Sequence, residues 1–346
     1  MKEVEARLKI TSDFLEKFPV PDVGFEFIVY ADQLDTHSVN KLMKNFAWVK
    51  EQLEIKYDVK IHPTLHFPTT FDSQYFLGSD DPVVVKRVLK MFDGCVKLAK
   101  EANMQSTVIH AGGNITTDMW DSIKNDFAYK KKVLDNLASR LEKLLEVARI
   151  EGYEGKFGFE NMPWPFDVPN AFTFTNMVTS DFYHVFNELE GRSIENLDQL
   201  GICLDLCHSW IISKTARYYK TLSEACGRRI TPMGIFSEEW EELMKLEEKT
   251  HLIRTFGDKI CHVHLADSRG TLKIGDGIER QLTEGAEIGT GDFSRSPDFK
   301  EGLQLISAKN HSLEKLICTL EIKDRDFFHP EKTARSLLTL GNMFYT

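Results

Sequence analysis

Six side chains that could bind a metal ion or carry a proton lie near the carboxyl ends of apolar segments typical of β-strands. They are His66, His110, Glu160, Asp205, His264 and Glu321. Each of them follows an apolar residue and, except for Glu160, which Asn161 follows, also precedes one, so the polar group would face away from the surface that packs against helices. Imidazole and carboxylate ligands together suit zinc, manganese, cobalt or iron and disfavour calcium. The sequence therefore predicts a site for one or two divalent metal ions.

The segment 201–210, GICLDLCHSW, carries this pattern most clearly. Alternation along a strand would place Cys203 and Asp205 on one face, and His208 follows three residues after Asp205. A buried carboxylate is costly unless positive charge lies beside it, so a bound cation is the simplest interpretation. Taken singly, a strand-end carboxylate is often a helix cap, and a strand histidine is often a hydrogen-bonded core residue. The recurrence of the pattern at six strand ends favours the metal site.

The elements that would hold these residues alternate between strand-like and helix-like segments. Strands are predicted at 24–30, 60–67, 105–111, 156–161, 201–205, 259–266 and 316–322. The spacing of apolar residues predicts helices over 38–57, 81–102, 125–151, 237–255 and 330–343. Residues 4–10 fit either a first strand or the start of a helix that runs to residue 18, and the glycine-rich segment 270–292 is predicted to be a loop.

This alternation, with up to eight strands, predicts an α/β fold of the (β/α)8 TIM-barrel type, with parallel strands joined by helical crossovers. In such a barrel the carboxyl ends of all strands meet on one rim, where active sites are built. The six residues would then face one another there. No linker or break in composition divides residues 1–346, so we expect a single domain.

The composition limits the classes of partner. The formal net charge is −10, with 53 acidic and 43 basic residues, which disfavours a general nucleic-acid binder. The six cysteines form no CxxC pair and are expected to be free, mostly buried thiols. Neither a signal-peptide pattern nor an apolar run of about 18 residues occurs, so we expect a cytoplasmic protein without a membrane partner. A homo-oligomer is left open.

Six short segments, in this order, resemble the xylose-isomerase-like TIM-barrel superfamily, which includes endonuclease IV and many sugar isomerases and epimerases. They are TLHFP (64–68), VIHAGG (108–113), FGFEN (157–161), CLDLCHSW (203–210), HVHLADS (262–268) and TLEI (319–322). If the chain is similar to the isomerases and epimerases of this superfamily, the resemblance implies that it binds one divalent ion, such as Zn²⁺ or Mn²⁺, with Co²⁺ and Fe²⁺ as further candidates. Its ligands match Glu160, Asp205, His264 and Glu321.

The same resemblance implies roles in catalysis. Glu160 and Glu321 match the two glutamates that, in these enzymes, move a proton on and off a carbon beside a carbonyl, through an enediolate that the metal stabilises. His208 matches a position that contacts substrate. Asn114, Asn161, Arg269 and Lys323 lie beside the predicted ligands and could bind substrate or form ordinary loop hydrogen bonds.

The endonuclease IV branch implies a different metal content. His66, His110 and Glu160 match ligands of a first zinc, the four isomerase positions match those of a second, and His208 matches one ligand of a third. The other two ligands of the third zinc come from an Asp-x-His motif before an Ile-Gly-x-Gly turn. Here the turn is present at 288–291, but the preceding residues 283–287 are TEGAE, so a trinuclear site is not expected.

Three functions therefore remain open at this stage. The favoured one is a metal-dependent isomerase or epimerase that acts on a sugar or a sugar-like hydroxy-ketone, with a small carbohydrate as substrate. The alternative is an endonuclease IV-like phosphodiesterase that acts on abasic-site DNA with one or two metal ions. The third is a metal-binding barrel without catalytic activity. His62 and His262, one layer deeper on the same faces, are expected to be core residues or to support the ligands.

Overall fold

A sheet of seven parallel strands forms the centre of the computed structural model, which describes residues 2–29, 34, 36–68, 75–112, 115–163, 173–269, 272–274, 278–280, 283–309, 316–324 and 329–345. The described strands are β1 Asp22–Ile28, β2 Lys60–His66, β3 Ser106–Ile109, β4 Lys156–Glu160, β5 Leu200–Asp205, β6 Ile260–Leu265, β7 Asp267–Arg269, β8 Leu272–Ile274, β9 Ile278–Arg280, β10 Thr283–Ala286 and β11 Ile317–Leu320. The large sheet has the order β1-β2-β3-β4-β5-β6-β11, and its neighbouring strands pair in parallel.

The two edge strands of this sheet, β1 and β11, lie side by side. A Cβ atom at Gly24 of β1 would lie 3.1 Å from Ile317 Cγ2 of β11. The sheet therefore curves until its edges touch, which makes a nearly closed barrel. The predicted α/β TIM-barrel fold is confirmed, although the described barrel has seven strands where up to eight were expected.

Helices connect the strands and surround the barrel. Those in the described residues are α1 Lys2–Lys17, α2 Thr36–Tyr57, α3 Pro82–Glu101, α4 Thr117–Ile123, α5 Phe127–Glu151, α6 Thr179–Glu190, α7 Leu206–Cys226, α8 Trp240–Lys245, α9 His251–Phe256, α10 Pro297–Lys309 and α11 Glu331–Tyr345. Residues 4–10 lie in α1, so they are not a first strand. The helical spacing of the buried residues Thr11, Leu15 and Phe18 explains this result, because it gives α1 one face to pack, and α1 contacts α2 and α11.

Two other segments differ from the predictions. Residues 237–255 form a 3₁₀-helical turn at Ser237–Glu239, followed by the short helices α8 and α9, in place of one helix. The predicted loop 270–292 contains β10, which pairs antiparallel with β7, and the pair β8 and β9. These strands are three or four residues long, which is too short to show a periodic pattern in the sequence.

A buried ion cluster joins the helical layer at one side of the barrel. Lys130 of α5 is fully buried, and its Nζ lies 2.8 Å from Asp181 Oδ1 of α6. The same ammonium group pairs with Glu239, whose carboxylate also accepts a hydrogen bond from the Phe236 backbone N–H at 2.9 Å. Burial tends to lower the pKa of Lys130, but the two carboxylates outweigh burial and raise it. The cation therefore stays charged and ties α5 and α6 to the turn at Ser237–Glu239.

Gly201 allows β5 to approach β6 closely. A Cβ atom at Gly201 would lie 2.5 Å from the Lys259 carbonyl oxygen and 2.9 Å from Cys261 Sγ. We expect Gly201→Ala to lower the free energy of unfolding by about 1–3 kcal/mol, because the backbone of the neighbouring strand must move. Urea unfolding followed by circular dichroism would measure the change. Gly191→Ala is the matched control, since its Cβ would meet its nearest atom at 3.5 Å; an equal loss in both variants would contradict the expectation.

The cysteines are free thiols, of which Cys226 and Cys318 are exposed and the other four are buried. This agrees with the expectation of free and mostly buried thiols. None of the helices in the described part of the chain has the length and apolar character needed to cross a membrane.

Candidate metal centre

The six predicted ligands lie at one rim of the barrel. His66, Glu160 and Asp205 are the last residues of β2, β4 and β5. His264 is the penultimate residue of β6, while His110 and Glu321 directly follow β3 and β11. Parallel strands explain this placement, because all their carboxyl ends point the same way. His66, Glu160, Asp205 and His264 are each at most 2% exposed.

Glu160 lies at the centre of the group. Its Oε2 is 2.7 Å from His110 Nε2 and 3.6 Å from His66 Nε2. Its Oε1 is 3.4 Å from His264 Nδ1, which is itself 3.2 Å from Glu321 Oε2. Four potential ligand atoms, all within 4.8 Å of one another, come from Glu160, Asp205, His264 and Glu321. A second such group comes from His66, Glu160 and His264; His110, whose Nε2 is bonded to Glu160, belongs to neither.

Several polar atoms that face this centre are buried without a hydrogen-bond partner among the described residues. They are His66 Nε2, Glu160 Oε1, His208 Nε2, His264 Nδ1 and Glu321 Oε2. Buried polar atoms are rarely left unpaired, because an unpaired one has lost its water without compensation. A divalent ion would satisfy carboxylate oxygens and imidazole nitrogens at once, and this donor set suits zinc or manganese. The residues present therefore fit a divalent metal ion.

The electrostatics of the group also favour a cation. Burial alone would raise the pKa of Glu160, but the His110 and His264 imidazoles outweigh it and hold that pKa well below the usual value. Burial is the largest influence on Asp205; although His208 opposes it, Glu321 and Glu160 add to it, and the pKa of Asp205 rises to about 8. Three carboxylates thus converge where their charges repel one another, and a cation would relieve the repulsion.

Asp205 is both a potential ligand and a helix cap. Its carboxylate accepts a hydrogen bond from the His208 backbone N–H at 2.6 Å, at the start of α7. Asn161 fixes the Asp205 backbone, since its Oδ1 accepts from Asp205 N–H at 2.7 Å and its Nδ2 donates to the Asp205 carbonyl at 3.1 Å. The Asn161 carbonyl in turn lies 2.7 Å from His208 Nδ1, which must donate to it. The Asn161 side chain therefore holds the ligand strand, and its contact with substrate remains a prediction.

The remaining predicted residues lie at the edge of the group. Arg269 is exposed and donates from Nε to Thr290 Oγ1 at 3.1 Å, and Lys323 Nζ lies 3.4 Å from Glu284 Oε2. Asp267 accepts hydrogen bonds from the backbone of the turn at 291–294 and does not pair with Arg269 in the described structure. Asn114 lies outside the described residues.

Sequence reasoning missed two carboxylates next to the centre. Glu26 of β1 places Oε2 3.3 Å from His264 Nε2, and Glu284 of β10 places Oε1 3.2 Å from His208 Nε2. Glu26 shows the same alternation as the predicted ligands, between Phe25 and Phe27, but it lies in the middle of its strand. Glu284 lies in the segment predicted as loop, where no sequence signal marks it.

The barrel and its rim define an α/β TIM-barrel protein with a candidate metal centre at the carboxyl ends of the strands. The profile of the xylose isomerase-like TIM barrel family matches residues 22–341. The chain therefore belongs to the xylose isomerase-like TIM barrel family, and the resemblance inferred from the six segments is confirmed.

Three solved structures illustrate the likeness in fold. An L-ribulose 3-epimerase is 13% identical, with 97% of this chain and 88% of that chain covered and a TM-score of 0.53. The IolI protein with a bound zinc atom is 15% identical, with 97% and 90% covered and a TM-score of 0.52. A D-allulose 3-epimerase from Methylomonas sp. is 13% identical, with 94% and 99% covered and a TM-score of 0.51. At these identities the likeness concerns the fold alone, and no curated protein matches the sequence significantly.

Loss of one ligand should reduce metal binding. We expect His264→Gln to lower the bound zinc or manganese at least about tenfold after reconstitution and gel filtration, because His264 supplies a potential ligand atom to both groups. Elemental analysis of the purified chain measures this directly. His251→Gln, at the start of α9, is the control and should keep the wild-type content. Equal metal content in His264→Gln and wild type would contradict the site.

Proposed function

We propose that this protein is a divalent-metal-dependent isomerase or epimerase that acts on a sugar or a sugar-like hydroxy-ketone. The observation that carries the proposal is the convergence of Glu160 and Glu321 on His264, in the group that also contains Asp205. Two carboxylates beside one ion can remove a proton from a carbon next to a carbonyl and return one. The fold shared with an L-ribulose 3-epimerase and a D-allulose 3-epimerase supports the same class.

The two glutamates would carry the proton. Glu160 is held ionised by His110 and His264, so it can accept a proton from the carbon beside the substrate carbonyl. Glu321, whose side chain is 37% exposed, is open to the rim and can return a proton to that carbon or to its neighbour. Return to the opposite face of the same carbon gives an epimer, and return to the neighbouring carbon gives an isomer. A bound divalent ion would supply the positive charge that stabilises negative charge on the substrate oxygens.

The other rim residues would hold the ligands and the substrate. Asp205 and His264 would bind the ion without moving protons. His208 has a fixed ring orientation, because Nδ1–H donates to the Asn161 carbonyl and Nε2 faces Glu284. We assign His208 Nε2 to contact with a substrate hydroxyl, as the family resemblance implies, and we assign Arg269 and Lys323, at the edge of the group, to contact with the distal end of the substrate.

The test is deuterium incorporation from D2O into a panel of ketoses, with protein reconstituted with zinc or manganese. Incorporation at a carbon next to the carbonyl, together with formation of an epimer or isomer, supports the proposal. Absence of exchange across the panel, in protein that binds metal, counts against it. The same preparation should be incubated with an oligonucleotide that carries an abasic site.

One observation keeps a phosphodiesterase as second candidate. His66 joins Glu160 and His264 in a second group of ligand atoms, which a one-metal isomerase does not need. Two observations count against this function. The segment 283–287 lacks the Asp-x-His motif, and Glu284 of that segment contacts His208 instead. The net charge of −10 also disfavours binding to DNA. Cleavage of the abasic-site strand without deuterium exchange would favour the phosphodiesterase.

A further inference from the structure

Glu26 has a structural position unlike that of the predicted ligands. It lies in the middle of β1, below the rim, and its side chain is 6% exposed. Its Oε2 lies 3.1 Å from His262 Nε2 and 3.3 Å from His264 Nε2, both in β6. Around the nearly closed barrel β11 lies between β6, with which it pairs, and β1, so this carboxylate reaches past β11 through the interior of the barrel. A buried carboxylate needs such donors, and here two imidazoles provide them.

The contact determines which nitrogen of His264 can bind a metal ion. An ionised carboxylate accepts hydrogen bonds and cannot donate them, so His264 Nε2 must carry the proton that faces Glu26. In the neutral ring the other nitrogen, Nδ1, then has a free lone pair. Nδ1 lies 3.4 Å from Glu160 Oε1 and 3.2 Å from Glu321 Oε2, and it has no hydrogen-bond partner in the described structure. The ring is therefore oriented with its ligand nitrogen toward the metal centre.

We propose that Glu26 is a positioning residue that holds His264 with Nε2–H on its own carboxylate and with Nδ1 directed at the metal ion. This inference rests on the metal centre of the proposed function. A carboxylate behind a ligating imidazole fixes the ring and makes the ligand nitrogen more basic, and its loss typically weakens metal binding about 10–100-fold. Glu26 thus serves the site without touching the substrate or the ion.

Glu26, His262 and His264 also lie close enough to bind an ion of their own, but their hydrogen bonds favour the positioning role. His262 Nδ1 lies 2.8 Å from Ser106 Oγ, and His262 Nε2 lies 2.9 Å from Thr319 Oγ1. Both nitrogens of His262 therefore have partners. The buried unpartnered atoms of this region include His264 Nδ1 and Glu160 Oε1, whereas none of the buried unpartnered atoms in the described residues belongs to Glu26 or His262.

The test compares metal affinity in Glu26→Gln, Glu26→Leu and wild type by competition with a chromophoric chelator, with zinc as the probe. We expect the dissociation constant to rise about 10–100-fold in both variants, with more loss in Glu26→Leu, because glutamine can still accept the Nε2–H bond without charge. Asp22→Asn is the matched control. It removes the carboxylate of the first residue of the same strand, whose Oδ1 lies 2.7 Å from the His62 imidazole Nε2. It should leave zinc affinity unchanged.

A second measurement identifies the role. In the zinc-loaded wild type, the ¹⁵N shifts of His264 should indicate a metal-bound Nδ1 and a protonated Nε2, whereas zinc on Nε2 would overturn the inference. Unchanged affinity in Glu26→Gln would overturn it as well, with the proposed function intact. Loss of one of two bound ions, with the other bound as tightly as before, would make Glu26 a ligand and also overturn it. If wild type binds no zinc, the proposed function itself fails. Should Glu26→Leu not fold, Glu26→Gln decides.

Discussion

Replacement of Glu160 by glutamine is expected to abolish most turnover, with a loss of about 10²–10⁴-fold in the rate of deuterium exchange into the ketose that wild type accepts. The amide cannot take up the proton. It also cannot supply the charged oxygen that faces His264 at 3.4 Å, so metal affinity should fall at the same time. Glu321→Gln should lose activity to a similar extent, since it removes the second proton carrier. The exchange rate should be measured at saturating metal, so that weaker binding does not account for the loss.

The control for both variants is Glu287→Gln. Glu287 directly follows β10, its carboxylate accepts hydrogen bonds from Arg335 at 2.7 Å, and it belongs to neither group of potential ligand atoms. This variant should exchange deuterium at nearly the wild-type rate. Substantial activity in Glu160→Gln or Glu321→Gln, with the circular dichroism spectrum of wild type in each, would refute proton transfer by two glutamates.

The second large effect is expected outside the group of candidate ligands, in Lys130→Met. This change leaves Asp181 and Glu239 buried without their cation, and breaking a buried ion cluster in this way costs about 3–5 kcal/mol in the free energy of unfolding. The two carboxylates would respond by binding protons, so their folded-state pKa values should rise above the unfolded ones. Stability is then lost as pH rises through that range, and the penalty of Lys130→Met should be smaller at pH 5 than at pH 8.

Urea unfolding at both pH values would measure this. The control is Lys132→Met on the same helix, whose partner Asp80 is exposed and whose loss should change the unfolding midpoint little at either pH. A small and pH-independent effect in Lys130→Met would mean that the cluster does not stabilise the fold.

The sequence predicted the rim residues well, for a physical reason. Strand alternation and the common direction of parallel strands together place strand-end side chains on one rim, and both are local properties that a single chain displays. His66, Glu160 and Asp205 end their strands as expected. Residues 4–10 were ambiguous because so short an apolar pattern fits both the two-residue period of a strand and the 3.6-residue period of a helix. The packing of α1 on α2 and α11 favours the helix.

Glu26 and Glu284 could not be found in the same way, because their roles depend on tertiary contacts. Glu26 meets His264 only when the barrel curves until its edges touch. Glu284 reaches His208 because β10 pairs with β7. The sequence does not indicate this pairing, because Gly285, which follows Glu284, is typical of a loop. Gly285 has φ of 70°, and a Cβ there would lie 2.6 Å from Lys323 Cγ, so close packing requires the residue that made the segment resemble a loop.

The contact between the two edges of the barrel has a consequence for folding kinetics. Contacts between residues far apart in the sequence form slowly, because a long loop must close first. A folding intermediate that contained β2 to β5 would hold His66, Glu160 and Asp205 but would lack His264, Glu321 and the carboxylate of Glu26. The proposed ion would therefore bind weakly until the last strands had docked. At a free concentration 100 times its dissociation constant, the ion would then add about 2.7 kcal/mol to the free energy of unfolding of the closed barrel.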